Sequence, residues 1–220
     1  NKGSVPLQNI SVWAYDQCLF TGENTKNISE VKSNLTNMWN WKWQAEDTDV
    51  ETPCEIKFRT TYDTTSETSS TVNVLTETEY YTREEQGTLV DVPVHTAITD
   101  SSLLMELEFS EVQPFMTNEE IYVYINYQDI GPGYLKELNK GDVVLTIPNN
   151  LKGNCTGYAK VSESQYILNT TLKFNDKKAP STTCKFKTNA SQIIDAGVLR
   201  ITASYKYQFD NSLLLNVNPK

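Results

Sequence analysis

The sequence holds one histidine, His95, and no CxxC, GxSxG, P-loop or GxGxxG motif. A single histidine leaves no room for most Ser-His and Cys-His nucleophilic sites. Without glycine-rich loops the usual phosphate and dinucleotide cradles are missing, and Gly131-Pro132-Gly133 is short enough to read as a turn. No CxxC and one histidine argue against a zinc site of ordinary spacing. No apolar run approaches the roughly eighteen residues of a membrane helix, so no membrane span is expected in this chain. There is no basic stripe either, and the formal net charge is −9. A nucleic-acid partner needs cations to displace counterions from phosphates, so none is expected. The 28 carboxylates single out no acid–base pair. We therefore expect no enzyme, no catalytic residue and no cofactor.

Four cysteines stand at Cys18, Cys54, Cys155 and Cys184 in 220 residues. An even count with wide spacing fits disulfides in an oxidising compartment. Three connectivities are possible. Pairing within each half of the chain, Cys18 with Cys54 and Cys155 with Cys184, is favoured. Six Asn-x-Ser/Thr sequons occur, at Asn9, Asn27, Asn34, Asn154, Asn169 and Asn189. The 20 asparagines and 42 serines plus threonines would give about four by chance, so the excess is mild. The first residue is Asn rather than Met, which leads us to expect that a preceding segment has been removed. Cysteines, sequons and that start together point to an extracellular, N-glycosylated protein.

Along the chain, VPLQNISVWAY (5–15) is strand-like, with Val5, Leu7, Ile10 and Val12 apolar. From Ser29 to Trp43, Val31, Leu35, Met38 and Trp39 fall at helical spacing with Ser29 as N-cap. Trp39, Trp41 and Trp43 then alternate, so a short helix running into a strand is expected. The tryptophans read more readily as a small core than as a sugar platform. Asp47, Asp49 and Glu51 lie in an acidic loop that could hold calcium through oxygen ligands, although the twelve-residue loop pattern is missing and a solvated turn is favoured. Glu77 to Gln86 reads as a short helix or a linker. Pro93 confines the strand around it to an edge or junction.

From residue 100, seven strands are expected: 103–109, 121–127, 142–147, 165–174, 184–188, 198–207 and 212–217. Seven short alternating strands at this spacing mark an immunoglobulin-like sandwich. The segment Leu199–Val217 also matches Ile56–Val74 without a gap, pairing Ile56 with Leu199, Phe58 with Ile201 and Tyr62 with Tyr205. Each is expected to be a strand, a polar turn (TTSETSS in the first) and a closing strand. The fold class is thus all-β, with two β-sandwich Ig-like modules, the first smaller and carrying a short helix. The boundaries are 1–86, a connecting edge strand at 87–99, and 100–220.

The second half, with Pro114, Phe115, Asp129, Gly131, Gly133, Ile147, Pro148, Cys155, Cys184, Tyr205 and Tyr207, resembles Ig-like modules of secreted archaeal surface proteins. In style it is also similar to glycosylated thread and bundling-pilus filament subunits. The resemblance implies a structural role at the cell surface and brings no catalytic residues. The expected function is a repeating subunit of a cell-surface filament, its partners being copies of itself. Residues 4–15, through Val5, Leu7, Ile10 and Val12, would be donated to a neighbour's sheet. The alternative is a monomeric adhesin or receptor ectodomain of a membrane-anchored protein. Its ligand would meet Trp39, Trp41 and Trp43, or Tyr122, Tyr124 and Tyr127.

Overall fold

The computed structural model describes residues 5–92, 96–99 and 101–219; Pro93 and His95 lie outside them. In chain order the strands are β1 Leu7–Asp16, β2 Phe20–Gly22, β3 Thr25–Val31, β4 Trp43–Ala45 and β5 Thr52–Leu75. The helix α1 Glu77–Glu85 follows, then β6 Thr96–Ile98, β7 Leu103–Phe109, β8 Phe115–Met116, β9 Glu120–Asp129 and β10 Glu137–Leu138. The remainder are β11 Val143–Thr146, β12 Leu151–Cys155, β13 Tyr158–Ser162, β14 Gln165–Leu168, β15 Leu172–Lys173, β16 Lys178–Thr188 and β17 Ile194–Val217. The fold is mostly β, built of antiparallel sheets in a sandwich-like arrangement with one short helix among the described residues. Both cysteine pairs are disulfides, Cys18–Cys54 and Cys155–Cys184.

The chain forms two compact units. One comprises 1–64, 131–135 and 205–220; the other comprises 65–130 and 136–204. These cuts differ from a single boundary at 87–99, because the 24-residue strands β5 and β17 each contribute to both units.

In the first unit the strand order is β3-β1-β5-β17. β1 runs antiparallel to β3 on one side and to β5 on the other. Its period of two sends Ile10, Val12 and Ala14 inward and leaves Trp13 and Tyr15 exposed. On the inner side Trp41 and Trp43 lie 5.4 Å apart and pack on Phe58 at 5.7 and 5.9 Å. The helix expected around 29–39 is not formed. β3 ends at Val31, and the chain from 32 to 42 carries no helix or strand. The reason is visible in burial: Leu35 is 54% and Met38 86% exposed. The helical spacing had no core to face, and an isolated turn of helix does not survive without one.

The segment expected as a short helix or a linker at Glu77 to Gln86 is a helix over Glu77–Glu85. Thr76 caps it by accepting from the Glu79 amide at 3.4 Å, and Arg83 reaches back to Glu79 at 2.6 Å.

The second unit has two sheets. One holds β13-β14-β11-β17-β5, with β6 and β8 pairing with β5; the other is β12-β16-β9-β7. Val143, Leu145, Leu199, Ile201, Val72 and Val74 line the first, and Ile121, Val123, Ile125, Met105 and Phe186 line the second, all buried. Hydroxyls link the layers: Tyr166 donates to the Gly153 carbonyl, and Thr68 donates to the Met105 carbonyl at 2.8 Å.

The segment TTSETSS is no turn. Thr64, Ser66, Thr68 and Ser70 occupy successive inward positions, every second residue, of one continuous strand, β5. The hydroxyls of Ser66 and Thr68 meet Ser101 and the Met105 carbonyl, so these two polar side chains are accommodated at core-facing places. β17 likewise runs straight through Asp210-Asn211-Ser212. The internal match between 56–74 and 199–217 is therefore a likeness of two long strands rather than of two hairpins.

Candidate functional site

Residues directly opposite in an antiparallel pair share a face of the sheet. In the first unit Ser11 pairs with Asn27 and Trp13 with Thr25 on β3, while Ser11 pairs with Thr61 and Trp13 with Arg59 on β5. All of these stand on the outward face, together with Tyr15. Arg59 continues the row onto β17 through two 3.0 Å hydrogen bonds to Asp210. The guanidinium lies 5.1 Å from the Tyr15 ring, and Trp13 is 5.9 Å from Tyr15. Gln208 donates to the other side, to the Tyr134 hydroxyl and to Asp210. The Arg59 hydrogen bond holds the Asp210 carboxyl below its ordinary range, so the pair is ionised and mutually neutral. A band of two exposed aromatics and a fixed polar cluster thus crosses four strands.

Trp13 and Tyr15 were not singled out in the sequence. The alternation of SVWAYD, apolar on both faces, was the available signal. The tryptophans that were singled out are only half-buried, and the faces of Trp41 and Trp43 are spent on each other and on Phe58. Tyr122 and Tyr124 on β9 are exposed, with Lys185 over the Tyr122 ring at 5.9 Å. Tyr127 points the other way and is 2% exposed, so the three tyrosines do not form one patch. Its hydroxyl meets those of Tyr158 at 2.6 Å and Thr182 at 3.0 Å.

All six sequon asparagines are exposed. Asn9 sits at a β1 bulge with φ +49°, and its amide nitrogen donates to Asp63 at 2.8 Å. In the acidic loop Glu51 accepts from Asn216 at 2.8 Å, and Asp47 and Asp49 are exposed. Among the described residues no group of three or more metal-ligating His, Cys, Asp or Glu side chains forms. No helix among them is long and apolar enough to cross a membrane.

The expected donor strand needs correction. Leu7, Ile10 and Val12 belong to β1, which is hydrogen-bonded along both edges within its own chain. Ile10 and Val12 fill the core of that unit. A strand already paired on both sides has no edge to give.

An open edge does exist in the second unit. β7 is the terminal strand of β12-β16-β9-β7. The Ser110 amide bonds Tyr122 and the Ile130 amide bonds Ser102, so even-numbered β7 residues face β9 and odd-numbered ones face away. The outward carbonyls of Leu103 and Met105 are taken by Ser101 and Thr68. The backbone groups of Leu107 and Phe109 have no partner among the described residues. They border a groove of about 900 Å³ whose lining includes Val92, Ile98 and Val112.

No family model matches the chain, and no curated protein matches it. Among solved structures it is similar to the Fcho1 Mu homology domain of Danio rerio with bound Eps15 peptide. The TM-score is 0.29 at 8% identity, over 66% of this chain and 81% of that one. A likeness of that size carries no argument about function.

Proposed function

We propose that the chain is an extracellular, N-glycosylated structural protein, a repeating subunit of a cell-surface filament whose copies join by β-strand addition. The observation that carries this reading is the edge of β7 at Leu107 and Phe109, where the backbone has no partner among the described residues, beside its groove. An extended segment laid there would complete the backbone hydrogen bonds of Leu107 and Phe109 and set alternate side chains against Val92, Ile98 and Val112. The outer face of β7 favours a chain of copies over a closed pair. Glu106 and Glu108 are exposed, and antiparallel pairing of two β7 strands would set carboxylates against each other. A different segment of the neighbouring copy avoids that repulsion. Such a head-to-tail contact propagates instead of closing. Two disulfides and six exposed sequons support the cell exterior as the location.

The test is electron microscopy of the protein from its native surface, with hydrogen exchange on dispersed and assembled material. Filaments with a regular repeat are expected, and the Leu107 and Phe109 amides should exchange freely when dispersed and become protected on assembly. Filaments in which those two amides stay unprotected would remove β7 as the junction. Dispersed particles alone would overturn the filament reading in favour of a monomeric adhesin.

A further inference from the structure

The outward face of the first unit presents Trp13 at 45% and Tyr15 at 39% exposure with no strand or loop covering them among the described residues. The register supplies an occupant. Asn27 lies directly across from Ser11, and Trp13 directly across from Thr25. Asn27 and Trp13 are therefore diagonal neighbours on one face, a separation of roughly 7–8 Å that long side chains bridge. Asn27 heads the sequon Asn27-Ile28-Ser29 and is exposed. A sugar attached there starts beside the indole.

We infer that this face is a saccharide-binding strip and that its resident ligand is the N-linked glycan of Asn27. The inference rests on the glycoprotein reading above. A pyranose ring has apolar C–H faces and a hydroxyl rim, so it suits an aromatic surface bordered by fixed hydrogen-bonding groups. Trp13 and then Tyr15 offer the aromatic surface. Beyond them Arg59, Asp210, Gln208 and the Tyr134 hydroxyl offer donors and acceptors already held by one another. The Arg59–Asp210 pair cancels its own charge, which selects a neutral polyhydroxyl ligand over an anion or a cation. Contacts between a single sugar and an indole are weak in solution. The covalent link at Asn27 makes the contact intramolecular, and the effective concentration of a short tether keeps the strip occupied. Lys26, the neighbour of Asn27, points to the opposite face, where its ammonium lies 5.7 Å from the Trp41 ring. The two faces thus use tryptophan differently, one for the core and one for the glycan.

The test is a double-mutant cycle on the full secreted chain, with site occupancy read by mass spectrometry of glycopeptides. The variants are Asn27→Gln, Trp13→Thr and the pair, with Ser29→Ala as a variant that removes the sequon but keeps Asn27. Each single change should lower the folding constant roughly two- to tenfold, the range of an aromatic contact. The pair should cost no more than the larger single effect, and Ser29→Ala should match Asn27→Gln. Nuclear magnetic resonance should show the first sugar's ring protons shifted upfield in the wild type and not in Trp13→Thr. Additive costs, an unshifted sugar, or an unmodified Asn27 with other sequons occupied would overturn the strip. Absence of glycan at all six sequons in protein from its native source would overturn the glycoprotein reading and this inference with it.

Discussion

Arg59 and Asp210 are 151 residues apart in sequence and meet through two parallel 3.0 Å hydrogen bonds. The planar fork of the guanidinium matches both carboxylate oxygens, and the Tyr15 ring packs against it. The hydrogen bond from Arg59 is the largest cause lowering the Asp210 pKa. A carboxyl with a depressed folded pKa adds stability above its unfolded value of about 3.9 and loses it as pH falls through the folded value. Asp210→Asn should therefore flatten the acid limb of the thermal unfolding profile below about pH 4. At neutral pH its effect should be small, because both side chains are about one-third exposed. Unfolding temperatures of wild type and variant across the acid range would check it, and parallel curves would reject it.

Tyr127 and Tyr158 share a buried 2.6 Å hydroxyl contact, and Thr182 closes the group at 3.0 Å. Burial pushes both phenols up, so both stay neutral at any pH the protein meets. Tyr127→Phe keeps the ring and leaves the other two hydroxyls short of a partner. The expected loss is roughly 1–3 kcal/mol. Tyr158→Phe should cost a similar amount, and the double variant should cost less than the two together, because the shared bond is lost only once. Urea unfolding of the four proteins measures this directly.

The parts legible in the sequence are those where one face is apolar and the other polar. Ile121, Val123 and Ile125 against Tyr122 and Tyr124 give a strand at sight, and β9 is there. The cysteine pairing also followed from position alone. The sequence pattern splits β5 in two because its inward residues are Thr64, Ser66, Thr68 and Ser70. Threonine has the strand propensity but carries a hydroxyl that reads as a turn signal, and only a tertiary partner, the Met105 carbonyl in the case of Thr68, shows that the hydroxyl can face the core. The converse holds at Val31, Leu35, Met38 and Trp39. There the spacing was right for a helix, but Asn34 adopts φ +60° and Met38 faces solvent. The outward band was illegible for a different reason. Asn27, Trp13, Arg59 and Asp210 become neighbours only through the registers of β3, β1, β5 and β17, which no local pattern encodes.

Gly153 on β12 faces Phe186 on β16. A Cβ at Gly153 would stand 2.0 Å from the Lys185 carbonyl oxygen, a backbone atom that cannot rotate aside. The Gly153 carbonyl also accepts the buried Tyr166 hydroxyl, so the strand cannot move outward without breaking that link. Gly153→Ala should destabilise by about 3 kcal/mol, the upper range for overpacking. Gly141→Ala tests the contrast, since nothing lies within 4 Å of a Cβ there and only its φ of +94° opposes the change. Its cost should be about 1–2 kcal/mol. Equal losses at the two sites in chemical denaturation would show that crowding at Gly153 is relieved at little cost.

The two disulfides separate chain entropy from local packing. Cys155–Cys184 joins residues that are already opposite each other on paired strands, whereas Cys18–Cys54 ties a turn residue to the start of β5. If local constraint set their worth, the first would be nearly redundant, because the β12–β16 ladder holds those positions together without it. If the bridges act on the unfolded chain, their worth depends on loop length, and that dependence is logarithmic. Loops of 29 and 36 residues then differ by only about 0.2 kcal/mol. Each bridge is expected to contribute roughly 3–4 kcal/mol. Replacing each pair by alanines and unfolding the full chain in guanidinium should give two nearly equal losses. A loss under about 1 kcal/mol for Cys155→Ala/Cys184→Ala beside a full loss at the other pair would show that the sheet, and not the bridge, closes that loop.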